Sequence, residues 1–269
     1  MRRSCWLVVA ALACALVAGC GGSGSADRSA DSPPAETPST GAPRTPPRTT
    51  PPQAGKYCLQ PRDHGRNVRF GPHEELGGFA TGPGHDYVVL LHQSDGDACQ
   101  MLPIARMLAR AGYRSLAFDS SGRGASGAAR YDHRTLADDV TDAVRFARGQ
   151  GATSVSLVGT SMGGYGVLAA ALTITPPVNA VVSLSAPDVW DDPSGKALDI
   201  SALTVPTQLW AARLDSGFAE AAKRFASQDP DAALFLRPGS DHGVDLFPAA
   251  FPTIRPFLAA HTRGSASSG

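Results

Sequence analysis

The sequence of 269 residues predicts an α/β fold: a doubly wound, mostly parallel sheet of about eight strands with helices on both faces. Two observations predict it. Short, continuous apolar runs such as residues 87–91 are typical of strands that are covered on both faces. Longer segments such as 135–148 separate these runs and carry apolar residues at helical spacing. Alternation of this kind favours a parallel sheet.

The predicted strands are short and apolar, and most are bounded by Gly, Pro, Asp or Asn. We predict that the first two form a short antiparallel pair at one edge of the sheet. In order, the predicted strands cover residues 67–70, 76–80, 87–91, 113–118, 154–158, 180–184, 206–211 and 233–236.

The predicted helices carry apolar residues three and four positions apart. The first, QMLPIARMLARA, stops at Gly112, and the second places Leu136, Val140 and Val144 on one face. The third is rich in small residues and can pack closely on a sheet, whereas prolines interrupt the last. In order, the predicted helices cover residues 100–111, 135–148, 162–172, 217–226 and 246–259.

The N-terminus has the pattern of an export signal. Arg2 and Arg3 precede an apolar stretch, residues 6–17, that is too short for a comfortable membrane span. The following VAGC ends at Cys20 and resembles the lipobox of bacterial lipoproteins, which implies a signal peptide over 1–19 and an acylated Cys20. The protein would then be anchored to the membrane and face away from the cytoplasm. The alternative is a plain secretory signal with an incidental cysteine.

Composition divides the rest of the chain. Residues 20–55 are mostly Ser, Thr, Pro, Gly and Ala, which predicts a disordered linker of at most about 100 Å at roughly 3.1 Å per residue. We predict one domain over 56–262 and a disordered tail over 263–269.

The cysteines fit an oxidising compartment. Of 5 Cys, Cys5 and Cys14 leave with the signal and Cys20 is lipidated, so Cys58 and Cys99 remain as an even pair. A disulfide between them is the favoured interpretation, with free thiols or a metal site as alternatives. The sequence contains neither C-x-x-C nor H-E-x-x-H spacing, so no metal or other cofactor is implied.

The charge balance bears on two classes of partner, nucleic acid and anionic lipid. The chain has 24 basic and 24 acidic residues and a formal net charge of +0. We therefore expect no nucleic-acid binding, and no continuous polybasic segment is available for anionic lipid.

The stretch Gly159-Thr-Ser-Met-Gly163 contains the candidate nucleophile, Ser161. In doubly wound sheets, functional residues gather at the carboxyl ends of the strands. A G-x-S-x-G between a strand and a helix is a nucleophile elbow, which projects Ser161 above the sheet. The Met162 N–H then points to where an oxyanion would form.

A serine nucleophile needs a base that is oriented by an acid, and in folds with this elbow the acid and then the histidine follow the serine. His242, in a loop after strand 233–236, is the expected base, and His261 is assigned to the polar tail. Asp215, after strand 206–211, is the expected acid, with Asp188 the alternative. Two further acids fit less well: Asp241 adjoins the base in sequence, and Asp245 suits a helix cap.

The loop His92-Gln-Ser-Asp-Gly96 follows strand 87–91 and should provide the second oxyanion donor. We predict the backbone N–H of Ser94, with that of Gln93 as the alternative. His92 is expected to order the loop through hydrogen bonds.

From about residue 67 to 257 the chain resembles the α/β-hydrolase superfamily, in its elbow, in Asp215 and in the sequence around His242. Residues 119–126, DSSGRGAS, are similar to the D-x-R-G-x-G-x-S turn of that superfamily. Ser121 replaces the arginine, which predicts a looser turn, and Gln93 stands where many members have glycine.

The resemblance also bears on the shape of the site. Only about 20 residues separate strands 180–184 and 206–211, too few for a separate lid, as in dienelactone-hydrolase-like and carboxylesterase-like members. Trp190, Trp210 and Phe218 are candidates either for the walls of a pocket or for core packing.

These observations predict an exported, lipid-anchored serine hydrolase that cleaves a small-molecule or envelope ester. Three alternatives remain at this point. One is acyl transfer to an envelope alcohol, one is a perhydrolase-like activity, and one is a non-catalytic binding protein on a hydrolase scaffold.

Overall fold

The computed structural model of the chain describes residues 51–127 and 134–262. The predicted signal peptide, the predicted acylation site Cys20, nearly all of the linker and the C-terminal tail lie outside the described residues. None of the described helices combines the length and hydropathy that a membrane span needs.

The described residues form one sheet of eight strands in the order β1-β2-β4-β3-β5-β6-β7-β8. β1 pairs antiparallel with β2 and β2 with β4, and every other pairing is parallel. The predicted fold class and its antiparallel edge pair are confirmed. The strands are β1 (Arg66–Phe70), β2 (Leu76–Thr81), β3 (Asp86–Leu91), β4 (Arg114–Phe118), β5 (Ser154–Thr160), β6 (Ala180–Leu184), β7 (Thr207–Ala212) and β8 (Ala233–Arg237).

The helices lie close to their predicted positions. Thr135 caps the second helix through a hydrogen bond from the amide of Asp138 and forms a capping box with it. The first and last helices are each preceded by a 3₁₀ helix, Ala98–Met101 and Gly243–Leu246. The α-helices are α1 (Leu102–Arg110), α2 (Leu136–Gly149), α3 (Met162–Ala171), α4 (Phe218–Gln228) and α5 (Phe247–Thr262).

Two apolar layers form the core, one on each face of the sheet. The buried side chains of β3 alternate between them: Val88 and Leu90 pack with α1 and α5, whereas Val89 and Leu91 pack with α2, α3 and α4. This explains why the strand is a continuous apolar run. It also places the carboxyl ends of the parallel strands at one edge, where the loops are free to carry function.

The turn after β4 is held firmly, contrary to the loosening predicted from Ser121. The buried Asp119 carboxylate accepts hydrogen bonds from the amides of Ala98 and Ala125, both at 2.6 Å, and burial raises its pKa. Ser121 donates from its amide and its hydroxyl to Asp139, both at 2.7 Å. The Asp139 carboxylate on α2 therefore holds the turn through Ser121, the residue that stands where the superfamily has an arginine.

Candidate active site

Ser161 lies where the elbow prediction puts it, at the carboxyl end of β5 and immediately before α3. Its backbone has φ 50° and ψ −119°, a strained conformation for a residue with a side chain. A Cβ on Gly159 would lie 2.1 Å from the carbonyl oxygen of Gly163, and a Cβ on Gly163 would lie 2.2 Å from that of Leu91. The turn is therefore too tight for side chains at these two positions, as the motif predicts.

The structure brings Asp215 and His242 together. Asp215 follows β7 and His242 follows β8, and His242 Nδ1 lies 2.9 Å from Asp215 Oδ2. The ring of Phe218 packs on the imidazole with 4.4 Å between centroids. With Nδ1 directed at a carboxylate, Nε2 is the nitrogen left to exchange protons with a nucleophile.

The loop that carries His242 lies beside the elbow. A Cβ on Gly243 would approach Thr160 Cβ to 3.5 Å and Gln93 Oε1 to 1.8 Å. The Val244 amide donates to the same Gln93 oxygen at 2.9 Å. Residues after β3, β5 and β8 therefore meet in one place, and Gln93 connects two of these loops through its side chain.

Ser185 is a residue of the site that the sequence reasoning missed. It follows β6, is fully buried, and has a positive φ of 50°. Its hydroxyl donates to Asp215 Oδ2 at 2.7 Å and accepts from the amide of Gly243 at 3.1 Å. Ser185 thus joins the acid to the backbone next to His242. Neither its backbone conformation nor these distant contacts leave a local sequence signal.

The other candidate acids make different side-chain contacts or none with a described residue. Asp188 pairs with Arg224, and Asp245 is part of the 3₁₀ helix before α5. Asp241 is exposed. The expectation that His261 belongs to a polar tail is wrong, because α5 extends to residue 262 and His261 packs against Phe257 in its last turn.

The three predicted oxyanion donors differ in whether their backbone N–H groups already have an acceptor. The Gln93 amide donates to Gln100 Oε1 at 3.1 Å, whereas the Ser94 amide makes no hydrogen bond with any described residue. Met162 is the first residue of α3, so its N–H has no acceptor within the helix. Of the two donors predicted in this loop, Ser94 is therefore the one whose N–H has no acceptor among the described residues, and its role as a donor stays a prediction.

His92 is fully buried beneath this loop. Its Nδ1 lies 2.6 Å from the carbonyl oxygen of Gln93, and Nε2 accepts from the amide of Ser120 at 3.1 Å. Burial lowers its pKa, which favours the neutral ring that this pattern of one donor and one acceptor requires. These contacts fit the ordering role expected for His92.

The three aromatic candidates divide between core and site. Trp210 is 2% exposed and stacks on Phe235 at 4.2 Å, so it belongs to the core. Trp190 is 41% exposed, and Phe218 is the one in contact with His242. The segment between β6 and β7, which contains Trp190, includes no helix or strand.

Cys58 and Cys99 form a disulfide with 5.8 Å between their Cα atoms. The bond ties the start of the domain to the 3₁₀ helix before α1. Within residues 51–127 and 134–262, no three His, Cys, Asp or Glu side chains are grouped so that they could hold a metal ion.

Known proteins resemble the chain in sequence profile and in fold. The profile of a family described as "Serine aminopeptidase, S33" matches residues 83–234. An esterase from Pyrococcus furiosus superposes with a TM-score of 0.64 at 19% identity, over 79% of this chain and 100% of that chain. A thermophilic esterase from Thermogutta terrifontis superposes with a TM-score of 0.60 at 16% identity, over 73% of this chain and 99% of that chain. A dienelactone hydrolase from Anabaena variabilis superposes with a TM-score of 0.56 at 19% identity, over 73% of this chain and 96% of that chain.

No curated protein sequence matches the chain significantly. At such low identity the structural likenesses show the shared α/β-hydrolase fold, whereas the family profile covers more than half of the 269 residues. The chain therefore belongs to the serine aminopeptidase family of α/β-hydrolases, and it is a serine hydrolase.

Proposed function

We propose that this protein hydrolyses carboxylic esters with Ser161 as nucleophile, His242 as general base and Asp215 as the acid that orients it. The observation that carries the proposal is the 2.9 Å hydrogen bond between His242 and Asp215, formed beside the strained turn of Ser161. A serine, a histidine and a carboxylate in these roles are sufficient for acyl transfer on many folds.

The first half of the reaction forms an acyl-enzyme. Ser161 Oγ attacks the ester carbonyl carbon while His242 Nε2 removes the hydroxyl proton. The carbonyl oxygen becomes an oxyanion and accepts hydrogen bonds from the N–H groups of Met162 and Ser94. Asp215 stabilises the imidazolium through Nδ1–H. The tetrahedral intermediate then expels the alcohol, which takes the proton from His242.

The second half repeats these steps with water. His242 removes a proton from the water as its oxygen attacks the acyl carbon, and the same two N–H groups hold the new oxyanion. Collapse of this intermediate breaks the bond to Ser161 Oγ and returns the proton to it. The products are a carboxylic acid and free enzyme, so no cofactor is consumed.

An ester is preferred to a peptide as substrate because two of the structural neighbours are described as esterases. The family description names aminopeptidases, so the substrate test includes both classes. We would measure hydrolysis of p-nitrophenyl esters of graded acyl length and of aminoacyl p-nitroanilides. Turnover of the anilides without turnover of the esters would contradict the ester assignment.

A fluorophosphonate probe tests the nucleophile. We expect the folded wild type and the matched control Ser201→Ala to be labelled, and Ser161→Ala to be unlabelled. Asp215→Asn should lower kcat by about 10³- to 10⁴-fold, whereas Asp188→Asn should not. An unlabelled but folded wild type, or a labelled Ser161→Ala variant, would refute the assignment.

We further propose that the enzyme works at the outer side of the cell membrane, anchored by a lipid on Cys20. The support is the short apolar N-terminal stretch that ends in VAGC, together with the Pro- and Ser-rich linker behind it. Radiolabelled palmitate should appear on the wild type and not on Cys20→Ala. Equal labelling of both proteins, or labelling of neither, would count against the anchor.

A further inference from the structure

A cavity of about 670 Å³ lies at the edge of the sheet opposite the candidate active site. Its lining includes Thr81, the last residue of the antiparallel β2, and Arg114, the first residue of β4. Arg110, the last residue of α1, also lines it. These positions mark the amino ends of the parallel strands, whereas Ser161 and His242 follow carboxyl ends.

The cavity is strongly basic. Its ionisable lining has four arginines, one aspartate and one histidine, which gives a formal charge of +3 with the histidine neutral, although the whole chain has a net charge of zero. The arginines are far apart in sequence, so no polybasic segment is visible and only the fold assembles the charge. They are Arg62, Arg106, Arg110 and Arg114, and the other two groups are Asp63 and His64.

Most of the positive charge is available to a ligand. Arg106 binds Asp63 in a bidentate pair at 2.7 and 2.8 Å. Arg114 donates from Nε to the carbonyl oxygen of Gly82 at 3.2 Å, and its guanidinium lies 5.8 Å from the centroid of the Tyr87 ring. Its Nη groups make no hydrogen bond with a described residue. Arg62 and Arg110 are exposed and form no hydrogen bond or ion pair with a described residue.

The wall that carries these groups is fixed. The Arg106–Asp63 pair joins α1 to the 3₁₀ helix Pro61–Asp63, and the hydroxyl of Thr81 donates to the carbonyl oxygen of Asp63. Asp63 also accepts from the amide of Gln60 at 2.9 Å. The backbone that carries the arginines is therefore held in place, which reduces the entropy lost when a ligand binds.

We propose that this cavity binds a phosphate group, carried either by a free phosphate ester or by an anionic lipid headgroup. Guanidinium groups bind phosphate oxygens through charge-assisted and often bidentate hydrogen bonds. Arg110 lies in the last turn of α1, where its charge also stabilises the helix dipole. That role does not account for Arg62 and Arg114, which lie on other elements and line the same cavity. Binding at this edge leaves the opposite, catalytic edge open to substrate.

Calorimetry on the full chain in neutral detergent micelles tests the proposal. One titration uses sn-glycerol 3-phosphate, and another uses micelles doped with phosphatidylglycerol. The double variant Arg62→Gln, Arg110→Gln removes the two unpaired arginines. The control Lys223→Gln, Arg237→Gln removes two exposed charges from α4 and β8, at the far end of the sheet.

We expect the wild type and the control to bind, and the cavity variant to bind at least about tenfold more weakly with unchanged ester hydrolysis. Binding of glycerol phosphate alone identifies a free phosphate ester as the ligand, and binding of doped micelles identifies a headgroup. The proposal is overturned if the wild type binds neither probe. It is also overturned if the cavity variant binds as tightly as the wild type, or if the control loses binding equally.

Discussion

Replacing Ser185 with alanine should impair catalysis although Ser185 itself makes no contact with the reacting atoms. The change removes the 2.7 Å hydrogen bond to Asp215 Oδ2 and leaves the Gly243 amide, 3.1 Å away, without its acceptor. A hydrogen bond to a charged group contributes about 1.5–3 kcal/mol and a neutral one about 0.5–1.5 kcal/mol. Together the two hydrogen bonds stabilise the arrangement around His242 by about 2–4.5 kcal/mol.

Part of this energy should appear in the transition state. We expect kcat/KM for a p-nitrophenyl ester to fall about 10- to 100-fold, which corresponds to about 1.4–2.8 kcal/mol.

Ser185→Gly provides the matched control. It removes the same hydroxyl, but glycine adopts a φ of 50° without the strain that alanine keeps. Equal losses of kcat/KM in the two variants would assign the effect to the hydrogen bonds. The reasoning is refuted if Ser185→Ala keeps kcat/KM within about twofold of the wild type, or if Ser185→Gly regains the activity that Ser185→Ala has lost.

Two further predictions concern stability. The guanidinium of Arg106, hydrogen-bonded to Asp63, lowers the pKa of that carboxyl from 3.8 to about 2. The ionised carboxylate therefore stabilises the folded state above about pH 4, and this stabilisation is lost as the pH falls towards 2. Asp63→Asn should therefore cost about 1–2 kcal/mol in urea unfolding at pH 7 and almost nothing at pH 2, and an equal cost at both pH values would contradict this. The Cys58–Cys99 bond spans 41 residues, so replacing both cysteines with serine should cost about 3–4 kcal/mol. Unfolding midpoints that stay the same with and without reducing agent would contradict that expectation.

Sequence was sufficient for the elements that local chemistry determines. The strand predicted over 180–184 agrees with β6 at both ends. The helix predicted over 100–111 was less accurate, because the Asp97 side chain accepts from the amide of Cys99 and starts a 3₁₀ helix before α1 begins at Leu102. The predicted positions of Ser161 and His242 relied on a tight turn and on chain order, both of which can be seen in a sequence.

The residues that hold the site together could not be predicted in this way, because their partners are distant in the chain. Ser185 contacts Asp215 across 30 residues and Gly243 across 58, and Gln93 contacts Val244 across 151. Such pairs depend on strand order, and many strand orders are compatible with one pattern of apolar runs. The arginines of the basic cavity were missed for the same reason.

Gln93 and Ser185 hold adjacent amides of one loop, and this arrangement predicts how their effects combine. Gln93→Ala removes the acceptor of the Val244 amide, and Ser185→Ala removes that of the Gly243 amide. Once either change displaces the loop, the other hydrogen bond is weakened too, so the double variant should lose less kcat/KM than the product of the two single losses. A double-mutant cycle measures this coupling, which we expect to be about 0.5–2 kcal/mol. Additive losses would mean that the two side chains act on His242 independently.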